Sequence, residues 1–405
     1  MPKQPATDLC GLFVRPNEVL KYQGSNLSFM GQNLASLAKT HGTPIYVYSK
    51  KRISQKIEKI KNAFQNNIGI HFAMKSNHNP KILQHIRSRG LGIDVVSGGE
   101  INRALECGFK PDQIIFSGVG KSQDEINLGV RKGIFLFNVE SPQELERIGQ
   151  IAGRQNKNVS LSFRINPDVN AQTHPYVTTG FRENKFGMDK SFIPELLRIL
   201  KRYRKLKLMG LDFHIGSQLT DLKPFEDAVK KSIPLFTSLK NLGHAMTYFN
   251  TGGGIGISYK NEKTIDIDRY ATQIQKLLKP LNCKILCEPG RFLVGDAGVL
   301  LTKVEYLKKT PHRNFIIANT GMHHLLRPAL YDSYHHILPI KKSTRTTIVA
   351  DVVGPICESS DWLAKKIKIP LPQMGDVLAI CDVGAYGFVM ANEYNLHPKP
   401  KEIVI

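Results

Sequence analysis

Eight short apolar runs recur along the middle of the chain, at 69–74, 91–96, 113–116, 134–139, 159–165, 208–214, 246–250 and 284–287. Each is followed by polar or glycine residues and then by a segment with helical periodicity, for example 79–88, 99–106, 123–132 and 142–154. Ser141-Pro-Gln-Glu144 shows how such a helix starts: a serine cap, a proline in the first turn and an acid three residues on. Strand then helix, repeated in this way, predicts an α/β fold, a parallel (β/α)8 TIM barrel. A doubly wound sheet is the other arrangement the alternation permits.

After Arg291 the pattern changes. Runs at 299–307, 315–319, 346–353 and 377–381 read as strands with only short helices between them, and 19–22 and 27–30 read the same way. The expectation is a second, β-rich domain, barrel- or sandwich-like, built from 1–40 and 293–405, beside a barrel at 41–292. The stretch 166–190 has little periodicity, and long connections of that kind are often lids or binding loops.

Composition narrows the function. A formal charge of +22 over 405 residues raises nucleic-acid binding. The lysines are spread, however, and the 201–207 patch sits at a helix end, where cations suit the dipole. Without an RNA-binding aromatic signature, zinc finger or recognition-helix pattern, the excess reads as solvated surface, with no nucleic-acid partner. The first eight residues lack an apolar core of signal-peptide length, and no apolar stretch is long enough to span a bilayer, so no membrane partner is expected. Cysteines at 10, 107, 283, 287, 357 and 381 form no CxxC pair, which fits a reducing cytoplasm.

The residues at the carboxyl ends of the strands carry the chemistry, because barrel sites lie there. The first strand ends on Lys75, an amine that is costly to bury unless neutral, paired or covalently used, and hence a candidate Schiff-base lysine. Asp94 and Ser97 follow the second strand, and His214 and Ser217 the sixth. Gly252, Gly253 and Gly254 follow the seventh and let backbone N–H groups approach a phosphate without side chains in the way. Glu288-Pro-Gly-Arg291 follows the eighth, offering a carboxylate for a protonated ring nitrogen and a guanidinium for an anion. A strand-end histidine is by default a hydrogen-bonded core residue, but opposite a planar cofactor it can stack on the ring. Together these groups describe a pyridoxal 5'-phosphate site.

The motifs Phe72-Ala-Met-Lys75-Ser-Asn77, Asp94-Val-Val-Ser97-Gly-Gly-Glu100, His214-Ile-Gly-Ser-Gln218, Gly252-Gly-Gly254 and Glu288-Pro-Gly-Arg291 resemble the alanine-racemase-like fold in its amino-acid decarboxylase branch. Arg327-Pro-Ala-Leu-Tyr331, Gly354-Pro-Ile-Cys357-Glu358-Ser, Gly384-Ala-Tyr386-Gly and the loop from Asn166 to Gly187 look like the diaminopimelate decarboxylase family. The resemblance covers nearly the whole chain. It implies that Lys75 carries the cofactor and that Gly252, Gly253, Gly254, Ser217, Gly290 and Tyr386 hold its phosphate, with Arg291 close by. It also implies that His214 stacks on the ring and that Glu288 binds its nitrogen, with Asp94 beside them. Arg291, Arg327, Tyr331, Glu358 and Tyr386 match substrate-binding positions, and Cys357 matches the proton donor. In the family Cys357 and Glu358 reach the other subunit's site, implying a homodimer with shared active sites.

The implied reaction is decarboxylation of meso-2,6-diaminopimelate to L-lysine, the last step of lysine biosynthesis. Arginines with a glutamate beside the site suit a small amino-acid substrate with a second amino-carboxylate end. The alternatives are a relative acting on carboxynorspermidine, ornithine or arginine, or a non-catalytic pyridoxal-phosphate carrier. Asn319-Thr320, His323-His324 and Leu396-His397-Pro-Lys-Pro400 depart from the usual pattern. The paired histidines at 323–324 and 335–336 lack the spacing of a metal site, so no metal is expected.

Overall fold

The computed structural model describes residues 19–169 and 185–405, so most of the expected loop at 166–190, and Cys10, lie outside the described residues. The chain divides into two compact units: Gln55–Ser258 with Glu262–Leu293, and residues up to Ser54 with Tyr259–Asn261 and Val294–Ile405.

In the first unit the eight apolar runs become Gly69–Ala73, Gly92–Val95, Ile114–Phe116, Leu136–Val139, Val159–Arg164, Leu206–Asp212, Tyr248–Asn250 and Lys284–Cys287. Each pairs in parallel with the next, and the last closes on the first through Leu286 opposite Gly69 and Cys287 opposite Ile70. Closure excludes the doubly wound sheet and leaves no open edge. Helices return the chain between strands, and their starts are written in the sequence. Ser97 Oγ accepts the Glu100 N–H at 3.2 Å, and Ser122 with Glu125 forms a reciprocal capping box. Ser141 Oγ accepts from Glu144 N–H at 3.1 Å, but the Glu144 carboxylate returns to the Glu140 N–H at 2.9 Å. It also takes the Lys121 ammonium at 2.7 Å. Each such cap contributes about 1 kcal/mol.

The second unit is a sheet ordered Ile337–Pro339, Val377–Ile380, Gly298–Lys309, Asn314–Ala318, Thr347–Val353, Trp362–Pro370, with Lys401–Val404 joined through Ile45–Tyr48 to Gly298–Lys309. Leu20–Gln23, Asn26–Phe29 and Gln32–Asn33 make a small antiparallel sheet. One apolar core includes Leu27, Phe29, Ile45, Val47, Val299, Leu301 and Ala379. Ile45–Tyr48 is entirely buried and pairs with Gly298–Leu301, so the border between the units runs at Ser54/Gln55, where the sequence reading places it at 40/41. Four buried apolar or aromatic residues form a central strand of whichever sheet they pair with, and sequence alone does not say which. No helix among the described residues is long and apolar enough to cross a membrane.

Candidate active site

The first barrel strand ends at Ala73, and the chain turns through Met74–Ser76, held by the Asn77 N–H on the Met74 carbonyl at 2.9 Å. This turn places Lys75 Nζ 2.8 Å from Asp94 Oδ2 at the end of the neighbouring strand. Asp94 is fully buried, whereas the Lys75 side chain is 35% exposed, so the pair joins a buried counter-ion to a partly accessible lysine. The other Asp94 oxygen, Oδ1, has no hydrogen-bond partner among the described residues.

Glu288 follows the eighth strand and is buried. Its Oε1 accepts from Asn250 Nδ2 at 2.6 Å and from Asn138 Nδ2 at 3.1 Å, and Asn138 also donates to Ser117 Oγ at 2.9 Å. Burial, reinforced by Asp94 and Asp212, pushes the Glu288 carboxyl well above its usual range, while Lys75 pulls it back. Burial likewise pushes Asp212 up to about 7, against the Arg164 guanidinium, whose Nε lies 3.8 Å away. Arg164 is held in turn by Glu140 at 2.7 Å. Asp94, Glu140, Asp212 and Glu288 therefore share one barrel mouth with Lys75 and Arg164, and burial opposes ionisation of Asp212 and Glu288.

The glycine run is sterically required. Gly252 and Gly254 have φ of +64° and +103°, the left-handed region that side chains resist. A Cβ on Gly252, Gly253 or Gly254 would lie 2.2, 2.3 or 2.4 Å from the carbonyl oxygens of Phe213, Glu288 and Gly216. The Gly253 N–H donates to His214 Nδ1 at 3.1 Å, which leaves the proton of a neutral imidazole on Nε2. Desolvation, then the Arg164 and Lys75 cations, hold His214 well below its ordinary pKa, so this half-buried ring is neutral. Arg291 Nη2 donates to Ser217 Oγ at 3.0 Å. A Cβ on Gly290 would press on the Ser76 side chain at 3.0 Å.

Lys75, Asp94, His214, Ser217, Gly252 to Gly254, Glu288, Gly290 and Arg291 thus belong to the barrel unit, at the carboxyl ends of its strands. Arg327, Tyr331, Cys357, Glu358 and Tyr386 belong to the β-rich unit. There the buried Arg327 donates Nη2 to Ser333 Oγ at 3.2 Å, and its Nη1 sits 3.0 Å from His335 Nε2. Its guanidinium lies 4.9 Å from the Tyr259 ring centroid. Tyr331 closes the short helix Arg327–Tyr331, and Tyr386 is half-buried with φ of +57°. Cys357 and Glu358 are exposed, and Glu358 Oε1 accepts from Ser360 Oγ at 2.7 Å. The unusual His323 and His324 are buried with ring centroids 3.6 Å apart, and His397 lies 5.0 Å from His323. Among the described residues no group of three or more histidine, cysteine or acidic side chains is arranged to hold a metal ion.

Sequence reasoning missed Asn138, Asn250, Arg164, Glu140 and the part played by Asp212. All lie at or just beyond barrel strand ends, so the rule that finds Lys75 also reaches them once the barrel is accepted.

A barrel that gathers an amine, a glycine cradle and a protonatable buried carboxyl at one mouth defines a pyridoxal-type enzyme class. Residues 50–295 match the family described as pyridoxal-dependent decarboxylase, pyridoxal binding domain, and the chain belongs to that family. Within it the similarity is to diaminopimelate decarboxylases, of which this chain is a family member. The Aquifex aeolicus diaminopimelate decarboxylase is 40% identical over 96% of this chain and 93% of its own length. The structure of the Helicobacter pylori enzyme complexed with L-lysine matches with a TM-score of 0.89 at 43% identity, covering 92% of this chain and 94% of that one. The M. jannaschii enzyme in co-complex with L-lysine gives 0.90 at 34%, covering 96% and 93%.

Proposed function

We propose that the chain converts meso-2,6-diaminopimelate to L-lysine and CO2, the last step of lysine biosynthesis. The observation that carries this reading is the meeting of Lys75, Asp94, Glu288 and the glycine cradle at one barrel mouth. Pyridoxal phosphate fits that donor set. No side chain fits at Gly252, Gly253 or Gly254, where any Cβ would collide with a backbone carbonyl, and Asp94 Oδ1 is a buried acceptor with no hydrogen-bond partner among the described residues. When bound, the cofactor supplies an electron sink for the pair left by departing CO2.

The chain's own groups do the rest. Lys75 supplies the amine that would carry the cofactor, and Asp94 Oδ2 accepts a hydrogen bond from it at 2.8 Å. Gly252 to Gly254, Ser217, Gly290, Arg291 and Tyr386 are the residues that would hold the cofactor's phosphate. Glu288 would hold the ring nitrogen of a bound cofactor, since a cation there would offset the burial that raises its carboxyl. The neutral His214 ring would stack on the cofactor ring without adding positive charge. Arg291, Arg327, Tyr331, Glu358 and Tyr386 take the substrate's polar ends: guanidinium for carboxylate, glutamate for ammonium. Cys357 delivers a proton to the carbon that has lost CO2. The lysine-bound relatives support the product assignment.

The functional unit is a homodimer with shared sites, acting in the cytoplasm. Supporting the dimer, the Cys357–Glu358 loop is exposed together with Tyr394, and Leu396 is 92% exposed. Mixing Lys75→Ala with Cys357→Ala protein should restore turnover that neither has alone, and no restoration contradicts shared sites. The reaction itself is tested by borohydride reduction, which should fix the cofactor on Lys75; a protein that takes up no cofactor ends this reading.

A further inference from the structure

Cys357 and Glu358 lie in the connection between Thr347–Val353 and Trp362–Pro370, so neither ladder fixes them directly. One buried side chain organises the connection. Asp361 Oδ2 accepts the Ile356 N–H at 2.7 Å, immediately before Cys357, and Oδ1 accepts the Met322 N–H at 2.6 Å. The Asp361 backbone adds two closures, with its carbonyl taking the Gly354 N–H at 3.2 Å and its N–H reaching the Glu358 carbonyl at 3.0 Å. One residue therefore ties down both ends of the 354–358 turn and fastens it to the segment preceding Arg327.

Space has been made for that carboxylate. A Cβ on Gly321 would sit 2.3 Å from Asp361 Oδ1, and one on Gly354 would sit 2.5 Å from Oδ2. The two glycines also abut, since a Gly354 Cβ would come within 2.4 Å of the Gly321 Cα. On the other side Asn395 Oδ1 accepts the Cys357 N–H at 3.1 Å, from a residue with φ of +54°. Asn395 holds the Cys357 N–H and Asp361 holds the N–H of Ile356 just before it, while the Cys357 side chain stays exposed. A charged acceptor gives shorter and stronger bonds than a neutral one, and it gives them here to amides that would otherwise be unsatisfied.

We infer that Asp361 is the positioning residue of the Cys357–Glu358 loop, setting the thiol for proton delivery without itself touching substrate. The inference rests on the proton-donor reading of Cys357 given above. Misplacement of a reacting group by about 1 Å costs on the order of 10²-fold in rate. In the holoenzyme, Asp361→Asn removes one acceptor while keeping the shape. It should lower kcat by about ten- to a hundredfold with KM changed by less than about threefold. Cofactor uptake and absorbance should stay as in the parent protein. Alkylation of Cys357, followed by mass spectrometry of its peptide across pH, should shift in rate and midpoint, which loss of global stability alone does not produce.

Cys357→Ala separates the two claims. If it keeps full turnover, the proton-donor reading fails. If it is crippled while Asp361→Asn keeps the parent kcat and alkylation profile, the positioning role is overturned. Should Asp361→Asn not fold, Asp361→Glu carries the test, since it keeps the charge and displaces the carboxylate from the Ile356 and Met322 N–H groups. The same signature is expected, and parent-like kcat with unchanged alkylation overturns the inference.

Discussion

The barrel mouth and the Cys357 loop hold their polar side chains in opposite ways. At the mouth, strand ends deliver Lys75, Asp94, Asp212 and Glu288 into a buried, crowded set whose charges conflict. The tension is held in place because the ladders that carry these residues form a closed barrel. In the loop the Cys357 and Glu358 side chains are exposed, and their backbone is braced by Asp361 and Asn395 from outside any ladder. A closed sheet can store electrostatic strain, whereas a loop needs dedicated side-chain acceptors to hold one shape.

The largest effect should come from breaking the mouth at its amine. Lys75→Ala is expected to lower turnover by about 10³-fold or more and to abolish borohydride fixation of the cofactor. Near-normal turnover in that variant would show that another group carries the cofactor. Glu288→Ala should cost about 10²-fold in kcat, in line with loss of a preorganised electrostatic partner. Gly253→Ala, whose Cβ would lie 2.3 Å from the Glu288 carbonyl oxygen, should destabilise the fold and weaken cofactor uptake. The stability cost should be about 1–3 kcal/mol by chemical denaturation, and an unchanged midpoint would mean the cradle relaxes freely.

The smallest effects are differences in pH dependence, and they have opposite signs. Near the mouth, burial raises Glu100 from 4.5 to about 7. The folded state therefore holds its proton more tightly than the unfolded chain, and that stability is complete below 4.5 and lost as pH rises through about 7. Glu100→Gln in cofactor-free protein should flatten this fall. In the β-rich unit, burial and the neighbouring imidazoles of His324 and His397 lower His323 from 6.5 to about 3. Burial, with His397 opposing the charge, lowers His324 to about 4. Here stability is complete above 6.5 and lost as pH falls toward 4 and then 3. His323→Asn should flatten that acid limb, and an unaltered limb would mean the cluster does not titrate on unfolding.

The same contrast explains what was legible in the sequence. The barrel strands announce themselves because each is a short apolar run followed by a helix with a readable cap. Their ends shift by a residue or two where the ladder stops early: the sixth ends at Asp212, before His214 turns into the mouth. Trp362–Pro370 was not legible, since Lys365, Lys366 and Lys368 hide the alternation and the pairing with Thr347–Val353 contains register shifts. Ile45–Tyr48 was hidden differently, as a buried run whose partner lies some 250 residues away. Site residues on motifs were visible at strand ends or by resemblance. Asn138 was not, because its partner Glu288 is 150 residues distant and only barrel closure brings them together. Asp361 follows the Cys-Glu motif directly, yet its role depends on two amides and two glycines that only the folded loop assembles.

The most direct test is to incubate purified, cofactor-loaded protein with meso-2,6-diaminopimelate and measure both products. Equal amounts of CO2 and L-lysine, absent with Lys75→Ala, are predicted. Consumption of ornithine or arginine with none of meso-2,6-diaminopimelate would contradict the assignment.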